Sequence, residues 1–462
     1  MDVAILVPGI MGSRLILPAA FAGGKDEEVW PPKPLEVAFG YDRIDKLQSE
    51  HLQFGEIIDK VSCFSFYNLI EAQLGDLGFP VGGAGQRRVD FAYDWRQDNF
   101  NTADLLAKAI AREHAAGATR ISLVCHSMGG LVARLVLESG KFDAEPWFAS
   151  IRLFAALATP HLGAPLALAR IFGLDSSSGI SGRDFATLAA NRAYPSGYQL
   201  IPAPGEAAVW SVTSPDLGVL DPYDPDTAVA LGMDPVLVDK ARAQHAVLAR
   251  NAAPGHVRYF YFAGAGHRTV TRINVVHRQG AKVNHGQSVV TRTEAAGDGT
   301  VPLYSALPVA GQRQIVVNEH ATVFKGTPFR RAFFRLMGGD AGAVVEAATG
   351  PEDGPFLSVS LDRPVYSEGE RPEAAITVTS PASPDGRGAV EKIEGRFVIE
   401  RTDPEGAAEA EVQVLPLVWS GPPVSSLTLR LGGPMLAAGL YRMRFEGVPP
   451  MPEALAFAVT RE

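Results

Sequence analysis

Short apolar runs alternate with amphipathic stretches along most of this chain. Runs of strand length occur at Val3–Val7, Arg88–Tyr93, Ile121–Cys125, Ile151–Ala156, Val257–Ala263 and Gln314–Val317. Helical spacing of apolar positions appears over Thr102–Ala116, Met128–Ser139 and Pro328–Met337. Strand and helix signals taken in turn predict an α/β fold, a doubly wound and mostly parallel sheet covered on both faces. Residues 165–254 break the alternation. They are rich in Pro, Gly and Asp, with one helical stretch near Pro235–Asn251, and they read as a cap or lid inserted after a central strand. Past a Gly/Pro-rich linker at 341–355 the helical period gives way to a period of two. Leu357/Val359/Leu361, Phe397/Ile399, Val412/Val414, Leu427/Leu429/Leu431 and Tyr441/Met443/Phe445 alternate with polar neighbours. That pattern predicts an all-β immunoglobulin-like sandwich over 356–462, behind an α/β domain over 1–340.

Composition narrows the functional classes. With 462 residues, 46% of them hydrophobic, the chain can bury a large core in about two domains. A formal charge of −9 without a long Lys/Arg run argues against nucleic acid as a partner. No apolar run approaches the ~18 residues that span a bilayer. The N-terminus carries Asp2, lacks a basic region and breaks at Pro8-Gly9, so it reads as a first strand rather than a signal peptide. Only two cysteines, Cys63 and Cys125, are present, without metal or redox spacing. A cytoplasmic setting is expected, with peripheral contact to a membrane as an option, and no cofactor or metal is called for.

The chemistry concentrates at Leu123-Val-Cys-His-Ser-Met-Gly-Gly130. A buried strand ends near Cys125, a helix begins at Met128, and Ser127 stands between them. This is the layout of a nucleophile elbow, whose tight turn demands small neighbours. Gly129 and Gly130 supply them on the helix side, and Cys125 replaces the usual glycine on the strand side. A nucleophilic serine needs a base and an orienting acid, which follow it in the order acid, then histidine, in sheets of this kind. Asp298, between Gly297 and Gly299 after the strand-like run Ser288–Thr293, is the best acid. Of ten histidines only His320 lies beyond it. The expected catalytic set is therefore Ser127, Asp298 and His320. The oxyanion of an acyl-transfer intermediate needs two N–H donors, assigned to the backbones of Met128 and of Ile10 in the loop after the first strand. Taken singly, Gly-Asp-Gly is also a common surface turn and His320 an ordinary loop histidine; their order after Ser127 favours the catalytic reading.

With these residues in place the chain resembles the lecithin:cholesterol acyltransferase family. The resemblance rests on Val7-Pro-Gly-Ile-Met-Gly-Ser13, Phe91-Ala-Tyr-Asp-Trp-Arg96, His126-Ser-Met-Gly-Gly130, Thr159-Pro-His-Leu-Gly-Ala-Pro165, Tyr198-Gln-Leu-Ile-Pro202 and Asp298-Gly-Thr-Val-Pro302. It implies an α/β-hydrolase fold, a movable lid and acyl-ester chemistry on lipids. Phospholipase or lipase action through an acyl-enzyme is expected, with O-acyl transfer to a lipid alcohol as the alternative. The sandwich lies outside the resemblance and leaves open a protein partner or a partner-gated effector.

Other residues read both ways. Trp95 and Met11 could line an acyl pocket or simply pack. Asp94 and Arg96 read as a structural ion pair, and His126 and His161 as structural histidines. The acidic cluster Asp221–Asp226 has the wrong spacing for a calcium loop and reads as a solvated turn.

Overall fold

In the computed structural model, the description covers all residues except 62–63, 84, 214–216, 308–310, 340–355, 362–364, 380–389, 425, 452–453 and 462. The linker expected at 341–355 and Cys63 lie outside the described residues.

Six strands form the central sheet: β1 (Asp2–Val7), β2 (Arg87–Asp90), β3 (Arg120–His126), β4 (Ile151–Leu157), β5 (Arg258–Gly264) and β6 (Gln312–Val316). Their order is β6-β5-β4-β3-β1-β2 and every pairing is parallel. Parallel strands need covering on both faces, which is why β1 reads as an unbroken apolar run. Val3, Ile5 and Val7 of β1 enter one core, with Leu106 and Ile110 of α1 (Asn99–Ala115) and Leu131 and Leu135 of α2 (Met128–Glu138). Ala4 and Leu6 enter the opposite core, with Phe329 and Phe333 of α3 (Gly326–Leu336). Asp98 starts α1 by accepting from the Phe100 N–H at 3.1 Å. This is the doubly wound α/β-hydrolase arrangement that the sequence pattern implies.

Two additions were not apparent in the sequence. A small antiparallel sheet joins Ser13–Leu17, Glu27–Trp30 and Gln53–Ile57 beside the first strand's exit loop. Above the central sheet, Val209–Ser211 and Gly218–Leu220 pair with a long hairpin, His267–Val275 and Val289–Gly297. That four-stranded sheet combines strands from within 165–254 with two from beyond it. Helices Pro165–Ile171, Gly182–Ala189 and Pro235–Leu248 pack around it. Asp224, at the centre of the acidic cluster, caps its helix by accepting from the Thr227 N–H at 2.8 Å.

The C-terminal region forms two facing sheets. One is three-stranded, from β7 (Phe356–Leu361), β9 (Glu373–Thr379) and β12 (Ser426–Gly432), in the order β7-β9-β12. The other is five-stranded, in the order β8-β14-β13-β10-β11, from β8 (Val365–Ser367), β10 (Val390–Thr402), β11 (Ala408–Val424), β13 (Gly439–Val448) and β14 (Leu455–Thr460). Leu357, Ile376, Phe397, Met443 and Phe457 fill the space between them. The sandwich touches the hydrolase through a small apolar cluster, Val37 and Ala38 against Leu440 and Ala458. The Arg461 N–H donates to the Ala38 carbonyl at 3.1 Å, and Arg430 pairs with Glu294 at 3.0 Å.

Helix α2 is buried along its whole length, and two positions of its first turn, Gly129 and Gly130, have no room for a side chain beyond hydrogen. A β-carbon on Gly130 would overlap the buried side chain of Thr159, and one on Gly129 would meet the carbonyls of Val7 and Pro8. Gly130→Ala is therefore expected to lower stability by about 1–2 kcal/mol, although alanine is the better helix former by about 1 kcal/mol. Urea unfolding checks this, and an unchanged or raised midpoint would refute the overlap.

Candidate active site

Strand β3 delivers the chain to Ser127, where the backbone turns at φ 53° and ψ −127° before α2 begins. For a residue with a β-carbon this costs on the order of 1–3 kcal/mol and persists only where surrounding packing imposes it. The Ser127 N–H is held by the Leu157 carbonyl at 2.9 Å. Gly9 passes so close that a β-carbon there would lie 2.7 Å from that of Ser127. The serine itself is 6% exposed.

Strand β6 ends at Val316, and the following loop brings His320 back over the serine. His320 Nε2 lies 2.9 Å from Ser127 Oγ, and its Nδ1 lies 2.8 Å from Asp298 Oδ2. Asp298 is fully buried. Its other oxygen, Oδ1, accepts from the N–H groups of Thr300 at 3.0 Å and Val301 at 2.7 Å. Those two bonds leave Oδ2 for the imidazole. Asn318 pins the histidine loop by donating to the Val323 and Lys325 carbonyls at 3.2 and 2.7 Å. The structure thus brings together three residues spread over 193 positions of the chain.

The route of the acid differs from simple delivery by a central strand. Asp298 follows the second strand of the hairpin, which leaves the central sheet just after β5 and returns to it. Gly264, the last residue of β5, lies against Asp298: a β-carbon there would sit 2.6 Å from the aspartate's own. The acid therefore stands at the end of β5, with an intervening hairpin.

Behind the serine lies a second relay. Gly9 N–H donates to the Tyr67 hydroxyl at 2.8 Å, and that hydroxyl stands 2.8 Å from His126 Nδ1. Since the phenol oxygen already accepts, its proton points to Nδ1. Nε2–H of His126 is then the donor to the His320 carbonyl at 3.0 Å. Burial, then the neighbouring His320, push the His126 pKa down to about 3, so this imidazole stays neutral. His126 is structural, yet it packs against the His320 ring at 4.9 Å between centroids. Tyr67 carried no sequence signal, because its partners are 58 and 59 positions away.

The remaining candidates fall around the same cleft, a cavity of about 1060 Å³ that contains Ser127, Asp298 and His320. Ile10 and Met11 occupy the turn closed by Gly12 N–H on the Gly9 carbonyl at 3.1 Å, and both line the cleft. Met128, as the first residue of α2, has an N–H without an intrahelical acceptor. Trp95 reaches the cleft but is 2% exposed, its indole donating to the Ser13 carbonyl at 3.2 Å. Trp30, also missed in the sequence, donates to the Met11 carbonyl at 2.8 Å and fixes that loop. Asp94 and Arg96 form the expected ion pair at 2.7 Å. His161 lies away from the serine beside Arg134, and burial keeps its pKa far below normal.

The chain is similar to known proteins over part of its length. The family model described as lecithin:cholesterol acyltransferase matches residues 56–246. Over 194 residues the chain is 27% identical to lecithin-cholesterol acyltransferase-like 4 of Arabidopsis thaliana, covering 35% of this chain and 34% of the relative. The chain thus spans about a third of the length of the curated relative it matches. Among solved structures, similarity extends to the Tle4-Tli4 complex (15% identity, 73% of this chain and 97% of that one, TM-score 0.49). It also extends to the mature lipase BlEst2 of Bacillus licheniformis (13%, 72% and 91%, TM-score 0.36). A third is phospholipase PlaB of Legionella pneumophila (10%, 100% and 93%, TM-score 0.29). With every TM-score below 0.5, the fold assignment stands on the chain's own sheet order rather than on these superpositions. Residues 56–246, which include the strand–serine–helix turn, match the lecithin:cholesterol acyltransferase family model and lie within a sheet of α/β-hydrolase order.

Proposed function

We propose that this protein is a serine acyl hydrolase acting on lipid esters, and that Ser127, His320 and Asp298 are its catalytic triad. The observation that carries the reading is the continuous contact from Asp298 Oδ2 through His320 to Ser127 Oγ, at 2.8 and 2.9 Å, opening into a largely apolar cleft. Ser127 Oγ attacks the ester carbonyl while His320 Nε2 takes the hydroxyl proton. Asp298 holds the Nδ1–H tautomer and stabilises the imidazolium that forms. The tetrahedral oxyanion is received by the N–H groups of Met128 and Ile10, each worth roughly 10²–10³-fold in rate. Collapse breaks the ester bond, and His320 returns the proton to the departing alcohol. Water, activated by the same histidine, then attacks the acyl-enzyme and releases the fatty acid and free Ser127.

The cleft volume lies just above the roughly 300–1,000 Å³ usual for small-ligand sites, which suits a lipid better than a small soluble ester. Met11 and Trp95 contribute to its wall. Among the described residues no helix is long and apolar enough to cross a membrane.

Two substitutions test the assignment. Ser127→Ala is expected to abolish release of fatty acid and lysolipid from a bacterial lipid extract, read by mass spectrometry, while the thermal midpoint is kept, because alanine retains the β-carbon and the same backbone turn. Persistent release would sink the reading, and new acyl esters in place of free acid would reassign the acceptor from water to an alcohol. Asp298→Asn is expected to cut kcat by roughly 10⁴-fold, since the amide favours the wrong imidazole tautomer; a loss under tenfold would remove Asp298 from the triad.

A further inference from the structure

The cleft at Ser127 does not end within the hydrolase. Its far wall is made by the C-terminal sandwich: Leu357, Val359 and Leu361 of β7, Val365 of β8, and Leu455 and Ala456 of β14. The sheet order explains how these residues come to face a cavity. β7 is the outer strand of the three-stranded sheet, and β8, beside β14, is the outer strand of the five-stranded one. Leu357, Val359 and Leu361 alternate along β7 on the face that looks into the sandwich, where Leu357 and Leu361 are buried in its core. Val359 and Leu455 are only partly covered by that core, and Val365 only partly by the cluster at the hydrolase contact. The gap between the sheets thus opens toward the catalytic cleft, and its lip is apolar.

We infer that this open edge of the sandwich is the distal acyl-chain site of the enzyme, so that a long, unbranched acyl group bound at Ser127 runs out of the hydrolase and ends against β7 and β14. The inference rests on the acyl-hydrolase reading of Ser127 and adds the substrate class: esters of long-chain fatty acids, with chain length selected by the second domain. Among the described residues, those that the sandwich lends to the cleft are all apolar, which suits a hydrocarbon tail. Each methylene buried there favours the longer ester by roughly fourfold in kcat/KM until the lip is filled. The contact of Val37 and Ala38 with Leu440 and Ala458 holds the two walls in register.

The test uses the full chain and a long-chain alkyl fluorophosphonate carrying a diazirine at the end of its tail. Ser127 Oγ displaces fluoride and forms the phosphonyl ester, its proton passing to His320. Irradiation then fixes the tail to whatever it touches, and peptide mapping reads the site. Cross-links in the peptides containing residues 356–361 and 455–456 are expected. Labelling at Ser127 with cross-links confined to the cap helices Pro165–Ile171 and Gly182–Ala189 would overturn the inference while leaving the hydrolase reading intact. Failure to label Ser127 at all would overturn the hydrolase reading and this one with it. In a second measurement, Leu455→Trp is expected to lower the ratio of kcat/KM for hexadecanoyl over butanoyl p-nitrophenyl ester by tenfold or more. Val359→Trp provides the same readout if the first variant does not fold, and a ratio unchanged in a folded variant would refute the site.

Discussion

The geometry of the site descends from one strained residue. Ser127 is held at φ 53° and ψ −127° because α2 and β3 on either side of it are buried and have nowhere else to go. The strain is small beside the apolar surface those two elements bury, so packing imposes it. The absent side chains at Gly129 and Gly130 let the first turn of α2 settle onto the Pro8 carbonyl and onto Thr159. The same close approach therefore brings the loop after β1 and the loop after β4 to the serine. Nucleophile and prospective oxyanion donors are placed by a single packing event.

Around that point two hydrogen-bonded lines run in opposite senses. One carries charge, from the buried carboxylate of Asp298 to the imidazole of His320. The other is neutral, from Gly9 through Tyr67 and His126 to the His320 backbone. A protonated His126 in that position would repel the imidazolium formed during reaction, and burial keeps the proton off. The neutral line fixes where His320 is, while the charged line fixes how its ring is turned. On the proposed triad, a base supported at both backbone and side chain loses little by reorganising during the reaction.

Legibility in the sequence followed the range of the contacts involved. The central strands were readable because parallel strands buried on both faces leave apolar runs, and Ser127 because its turn tolerates only small neighbours. Asp298 and His320 were readable through chain order after the serine. Arg88–Tyr93 was read too far: the strand stops at Asp90, and Tyr93 instead donates its hydroxyl to the Pro8 carbonyl. The hydrophobicity that looked like strand belongs to a brace for the loop after β1. Tyr67, Trp30 and the hairpin's first strand, His267–Val275, went unread, although its second strand showed as the run Ser288–Thr293. In the sandwich, the alternating runs marked strands correctly, but which strands form open edges depends on pairings that alternation does not encode.

The hairpin between β5 and Asp298 has a mechanical consequence for how the enzyme can open. Its base is Asp298, seated against Gly264, while its two strands belong to the four-stranded sheet, which reaches the cleft at Arg292. Were that sheet to swing away as one piece, it would drag the carboxylate from the imidazole. On the proposed reading, entry instead uses a part of the cap whose buried residues pack away from that hairpin, the short helix Gly182–Ala189. The doorway and the catalytic frame are thereby separated, so the protein can admit a bulky guest without unmaking the machinery that awaits it.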